Sequence, residues 1–122
     1  MKKFVIFWLP VILWAGVIFY LSSIPDLKTD LDQDFLLRKI AHVVEYMILT
    51  FLIIRGLKKE KLSIKKIAIY SLIFAIFYAL TDEYHQSFVL NRYGTLKDVG
   101  IDSIGILIAS LLWYYKRKRS LN

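Results

Sequence analysis

Cysteine is absent from this 122-residue chain. That excludes a disulfide framework and thiol catalysis, and leaves the compartment open. Histidine and proline occur only twice each. No serine-nucleophile motif, phosphate loop or dinucleotide fingerprint is present, which removes the commonest soluble enzyme classes. Acidic residues are few, 10 against 17 Lys and Arg, giving a formal charge of +7. What the chain has in excess is apolar surface: 57% of its residues are hydrophobic and the mean hydropathy is +0.52. A soluble domain of this size cannot bury that much. The basic balance by itself suits nucleic acid, but the Lys and Arg residues sit between hydrophobic runs and form no soluble face, so nucleic-acid binding is not expected.

Four apolar runs organise the chain, at 4–21, 40–54, 67–80 and 99–115. A crossing needs about 20 residues. The second and third runs reach that length only through semi-polar ends, over 38–55 and 63–86. The expected fold class is therefore all-α, an integral membrane bundle of four transmembrane helices over 4–21, 38–55, 63–86 and 96–116, in a single domain over 1–122. The first run does not read as a cleaved signal peptide. It is long for an h-region and is followed by Ser22-Ser23-Ile24-Pro25 with no small-x-small cleavage site. Gly56 follows the second run where a helix C-cap is expected. Thr95-Leu96-Lys97-Asp98 has capping-box spacing ahead of the fourth.

The charges are distributed unevenly along the chain. Lys2, Lys3, Arg55, Lys58, Lys59, Lys61, Lys65, Lys66, Lys116, Arg117, Lys118 and Arg119 flank one side of the runs. Only Lys28, Arg38, Lys39, Arg92 and Lys97 flank the other. The positive-inside rule then places both termini in the cytoplasm of a multi-pass cell-membrane protein. Of the acids, Glu60 alone falls on the basic side. Trp113, Tyr114 and Tyr115 mark the inner interface, and Tyr20 and Tyr84 the outer one.

Both histidines and nearly every acid belong to the outer half. On the second helix Lys39, His42, Glu45, Tyr46 and Leu49 share a face. Glu45 lies roughly 9 Å deeper than Lys39 at 1.5 Å per residue. The third helix ends in Asp82, Glu83, Tyr84, His85 and Gln86. On the fourth, Asp98, Asp102, Gly105 and Ala109 share a face, and Gly105 and Ala109 form a small-xxx-small pair suited to close helix contact. Ionisable groups at membrane depth cost several kcal/mol unless paired, so Glu45 and Asp102 are expected inside the bundle. The expected site is one outward-facing polar pocket of Lys39, His42, Glu45, Tyr46, Asp82, Glu83, His85, Gln86, Arg92, Asp98 and Asp102. Plainer roles are open for several of these. Asp98 suits a helix cap, Lys39 a snorkelling anchor, Tyr46 packing, and Arg92 a structural salt bridge to Asp82 or Glu83. Asp26, Asp30, Asp32 and Asp34 suit a solvated loop.

These residues resemble the VanZ-like family of bacterial membrane proteins over nearly the whole chain. The likeness rests on Ser22-Ser23-x-Pro25, then on Lys39-x-x-His42-x-x-Glu45-Tyr46-x-x-Leu49. It continues in Asp82-Glu83-x-His85-Gln86-x-Phe88 with Arg92, and in Asp98-x-x-x-Asp102-x-x-Gly105. The family often carries Pro-Gly where this chain has Leu90-Asn91, Asn at the position of Asp102 and Gly at that of Ala109. The resemblance implies a link with low-level resistance to glycopeptide antibiotics such as teicoplanin. It implies no defined reaction.

Three functions fit this reading. In the first, the pocket binds or acts on a cell-envelope component: a lipid head group, a lipid-linked envelope precursor or a glycopeptide-related component. In the second, the chain is a membrane enzyme acting on a lipid or lipid-linked substrate, by acid–base catalysis or with a divalent metal. His42-x-x-Glu45 and Asp82-x-x-His85 have the i, i+3 spacing of carboxylate–histidine sites in bundles, making His42, Glu45, Asp82 and His85 the metal candidates. In the third, it is a small transporter relaying protons through buried carboxylates. The sequence defines no cofactor and no oligomeric state. Its one definite partner is the lipid bilayer.

Overall fold

The computed structural model describes residues 1–24, 34–89 and 94–122. Four helices follow one another: α1 (Lys2–Ser23), α2 (Asp34–Leu57), α3 (Ile64–Gln86) and α4 (Leu96–Leu121), with no strand among the described residues. Each contains one of the apolar runs and extends past it. Polar residues continue a helix that apolar periodicity alone does not register, so α2 begins at Asp34 and α4 carries its Lys/Arg-rich tail to Leu121. The starts of α3 and α4 are fixed by side-chain caps. Ser63 Oγ accepts from the Lys66 amide at 3.3 Å, and Thr95 Oγ1 accepts from the Asp98 amide at 3.2 Å. Each satisfies an amide that has no partner within its own helix.

Gly56 corrects one expectation. It does not cap α2, which continues through Leu57. A Cβ at Gly56 would stand 3.1 Å from the Trp8 ring of α1, so the missing side chain makes room for the indole.

Contacts between the helices set their directions. The Arg55 guanidinium donates to the Ile6 carbonyl at 3.3 Å and lies over the Phe7 ring at 4.9 Å, with Lys59 Nζ 4.6 Å from the same ring. The end of α2 therefore lies beside the start of α1. Ser110 of α4 donates to the Ala68 carbonyl of α3 at 3.0 Å, and Gly105 of α4 lies against Val43 of α2. The chain runs up and down four times. One end collects the N-terminus, the α2–α3 link and the C-terminus; the other collects the end of α1, the start of α2, the end of α3 and the start of α4.

Helices α2 and α3 stand between α1 and α4, which do not touch among the described residues. The core is built from Tyr46, Leu49, Ile53 and Ile54 of α2, Ile67, Ala75 and Ala79 of α3, and Val99 and Ile106 of α4, with Ile18 from α1. Small residues permit the closest approaches. A Cβ on Gly105 would overlap the Val43 carbonyl oxygen, and Ala109 one turn on is fully buried. The rest of the apolar surface points outward, including Ile12 and Leu13 of α1, Phe74 and Phe77 of α3, and Leu112 of α4. An outer surface of this kind is stable against acyl chains and not against water. Helix α1, residues Leu36–Leu57 and α3 are each long and apolar enough to cross a membrane. The protein is an all-α membrane bundle of four helices.

Candidate functional site

The fold gathers the expected polar residues at the end opposite the basic links. Helix α2 enters there with Lys39, whose ammonium forms an ion pair with Asp98 at the start of α4. Asp98 also completes the cap of its own helix, because Thr95 Oγ1 donates to Asp98 Oδ2 at 2.8 Å while accepting from the Asp98 amide. The cap and the ion pair are thus one arrangement, and the snorkelling anchor and the helix cap are joined through it.

One turn deeper, His42 Nδ1 faces Asp102 Oδ1 at 3.6 Å and Glu45 Oε2 at 3.9 Å. These are ion-pair separations, longer than a hydrogen bond. Glu45 and His42 keep some exposure, whereas Asp102 is 1% exposed. Tyr46, fully buried, donates from its hydroxyl to Asp82 Oδ2 of α3 at 3.1 Å. Gln86, one turn beyond Asp82, donates to the same oxygen at 3.2 Å and to Ser22 Oγ of α1 at 3.3 Å. Glu83 turns to the α3–α4 connection, where its Oε2 accepts from the Thr95 amide at 3.3 Å. Gly94 sits against the Glu83 carbonyl where a Cβ would overlap it, so the backbone at Gly94 is drawn tightly onto the end of α3.

Three separate contacts therefore converge on one region. Glu83, Asp82, Asp98 and Glu45 all lie within electrostatic reach of Asp102. Burial makes their charges expensive. Asp82 is 3% and Asp102 1% exposed, yet Asp82 Oδ1 and Asp102 Oδ2 have no hydrogen-bond partner among the described residues. Carboxylate oxygens placed this way are unusual in a folded protein unless a further group engages them.

His85 belongs to a different contact. Its Nε2 lies 2.9 Å from Ser23 Oγ, and its ring stacks on Phe19 with centroids 4.2 Å apart. Ser23 Oγ also donates to the Phe19 carbonyl at 2.7 Å. Ser23 thereby links the His85 ring to the backbone of α1. Of the four metal candidates, His42 and Glu45 face each other, Asp82 is engaged by Tyr46 and Gln86, and His85 is engaged by α1. Among the described residues, no three His, Asp or Glu side chains are grouped so as to hold a metal ion. Arg92, Asp26, Asp30, Asp32 and Pro25 lie outside the described residues.

The contribution of α1 is what the polar pattern alone did not reveal. Ser22 and Ser23 reach Gln86 and His85 of α3, Tyr78 of α3 donates to the Ala15 carbonyl at 2.5 Å, and Trp14 Nε1 donates to the Glu45 carbonyl at 2.9 Å. The adjacent serines near the end of the first run were the available signal.

No curated protein and no solved structure matches the chain. The protein-family model described as VanZ/LLP1 matches residues 7–117, which takes in α2 and α3 whole and most of α1 and α4. The chain belongs to the VanZ-like family of membrane proteins.

Proposed function

We propose that this protein crosses the membrane four times with both termini in the cytoplasm, and that its polar end binds a component of the cell envelope at the outer face. The observation that carries the reading is the pair of nearly solvent-free carboxylates, Asp82 and Asp102, each with an oxygen that no described residue engages. A purely structural position would be filled more cheaply by apolar side chains. Orientation is supported by the segregation of charge. The basic clusters collect at one end of the bundle, and Glu45, Asp82, Glu83, Asp98 and Asp102 at the other. At 26 residues, α4 is about 39 Å long, enough to cross the bilayer with its basic tail at the surface.

The pocket residues in this reading are Lys39, His42, Glu45, Tyr46, Asp82, Glu83, Gln86, Asp98 and Asp102, with His85 at the margin and Arg92 outside the described residues. The ligand is a lipid head group or lipid-linked precursor, which ties the protein to glycopeptide susceptibility. Cells lacking the chain, and cells complemented with the wild type or Asp82→Asn, are compared for teicoplanin susceptibility. The reading requires the wild type alone to change it. Equal rescue by both sinks it.

A second reading, a membrane enzyme, is favoured by one specific observation. His42 Nδ1 faces two carboxylates, Asp102 and Glu45, the surroundings that orient an imidazole for proton transfer. Turnover of a lipid-linked substrate by the purified protein, lost in His42→Gln, would decide for it.

A further inference from the structure

We propose that the acidic pocket around Asp82 and Asp102 binds a primary ammonium group. The inference deepens the envelope-binding reading and rests on it. Among the described residues, five carboxyl groups lie together at this end, with Lys39 and His42 interleaved among them. Lys39 is paired with Asp98. An anionic ligand meets repulsion here, whereas a cation is attracted and can donate to these oxygens.

The donor arrangement selects the kind of cation. No three His, Asp or Glu side chains among the described residues are set close enough to hold a metal ion. An ammonium is held differently, by separate acceptors each taking one N–H. Asp82 Oδ2 already accepts from Tyr46 and Gln86, which leaves Oδ1 as the unused acceptor. Asp102 Oδ1 faces His42, which leaves Oδ2. The two unused oxygens are on neighbouring helices, and both carboxylates act on the buried Tyr46. Asp102 is also where this chain departs from the Asn common in VanZ-like proteins, so the second acceptor charge is a feature of this chain.

The proposed route of entry is between the last turns of α1 and α3. Helix α1 buries only Ile18 and Ser22. Its hydrogen bonds to the last turns of α3 are Ser22–Gln86 and Ser23–His85, beside the Phe19–His85 ring stack. Two hydrogen bonds of this kind are readily exchanged for an incoming polar group.

The ammonium can come from a lipid head group or from a soluble amine. The test uses the full-length protein in nanodiscs of phosphatidylglycerol, and in matched discs containing phosphatidylethanolamine or phosphatidylcholine, with thermal unfolding as the readout. Ethanolamine, choline and sodium are titrated separately into the phosphatidylglycerol discs. The expected result is a saturable rise in Tm with phosphatidylethanolamine, absent with phosphatidylcholine, whose quaternary nitrogen has no N–H to donate. A matching rise with soluble ethanolamine shows entry from water; a rise with the lipid alone identifies the head group as the source. Both support the proposal. Asp82→Asn should lose the rise. Asp102→Asn should lose it as well, and it introduces the amide common in the family, so it is expected to fold.

Equal shifts with choline or sodium overturn the proposal, as does an ammonium-dependent rise that survives both variants. So does binding that is absent in the wild type and gained in Arg92→Gln, since the chain's own guanidinium would then fill the pocket. The two readings fail separately. Reporter fusions placing the acidic end in the cytoplasm would defeat the envelope reading and leave amine binding standing. A correctly oriented protein without amine binding would lose only the ligand assignment.

Discussion

The Tyr46 hydroxyl donates to Asp82 Oδ2 at 3.1 Å, joining α2 to α3 beneath the polar end. Both partners are buried, so the bond has no water to replace it. Tyr46→Phe keeps the ring and removes the donor, leaving Gln86 alone on that oxygen. The expected cost is about 1 kcal/mol, between the mean for polar contacts inside membrane proteins and the penalty for an unsatisfied buried acceptor. Unfolding of the detergent-solubilised variant measures it. No change in Tm would mean that Tyr46 serves only as packing.

Gly105 gives a second expectation. Because a Cβ there would overlap the Val43 carbonyl oxygen, Gly105→Ala forces α2 and α4 apart. Overpacking of this kind costs about 1–3 kcal/mol. The displaced helix start would also loosen the Lys39–Asp98 pair. The same change at Gly100, where a Cβ meets nothing within 4 Å, should be neutral or mildly stabilising. Paired Tm measurements on the two variants separate the local clash from a general effect of added helix propensity.

Topology is expected to follow the charge. Reporter fusions in the 58–66 link and at the C-terminus should register as cytoplasmic, and fusions in the 26–34 link as external. An external C-terminus would overturn the four-crossing arrangement.

For Glu45 the expected outcome is loss of function without loss of fold. Its carboxylate faces His42 at 3.9 Å and keeps some exposure. Glu45→Gln preserves shape and hydrogen-bonding capacity while removing the charge. An amide is also cheaper in hydrocarbon than a carboxylate, so Tm should hold or rise. A cellular teicoplanin-susceptibility assay is run beside it. Wild-type susceptibility with a lowered Tm would reduce Glu45 to a buried strut.

The four helices were legible because lipid imposes long apolar runs, and 4–21, 40–54, 67–80 and 99–115 each fall within an observed helix. The capping role of Thr95 and the close approach at Gly105 were also legible, since both follow from local spacing. Gly56 was read locally as a cap, but its neighbour is Trp8, 48 residues earlier, which no local rule reports. The same holds for Ser22 with Gln86 and Ser23 with His85, separated by 64 and 62 residues. Helical periodicity assigns each residue to a face and does not say which helix that face meets. That is why Asp82 and Gln86 could be placed together on α3 while the partners of His85 on α1 could not.

The position of α4 against both α2 and α3 has a consequence for biosynthesis. The chain leaves the ribosome from its N-terminus. Three helices are therefore made before the one that supplies Asp98 to Lys39, Asp102 to His42 and the Gly105 groove to Val43. Until α4 arrives, the polar face of α2 must wait without those neighbours. A nascent chain arrested before residue 96 would carry ionisable groups of α2 at membrane depth without their α4 partners, at a cost of several kcal/mol.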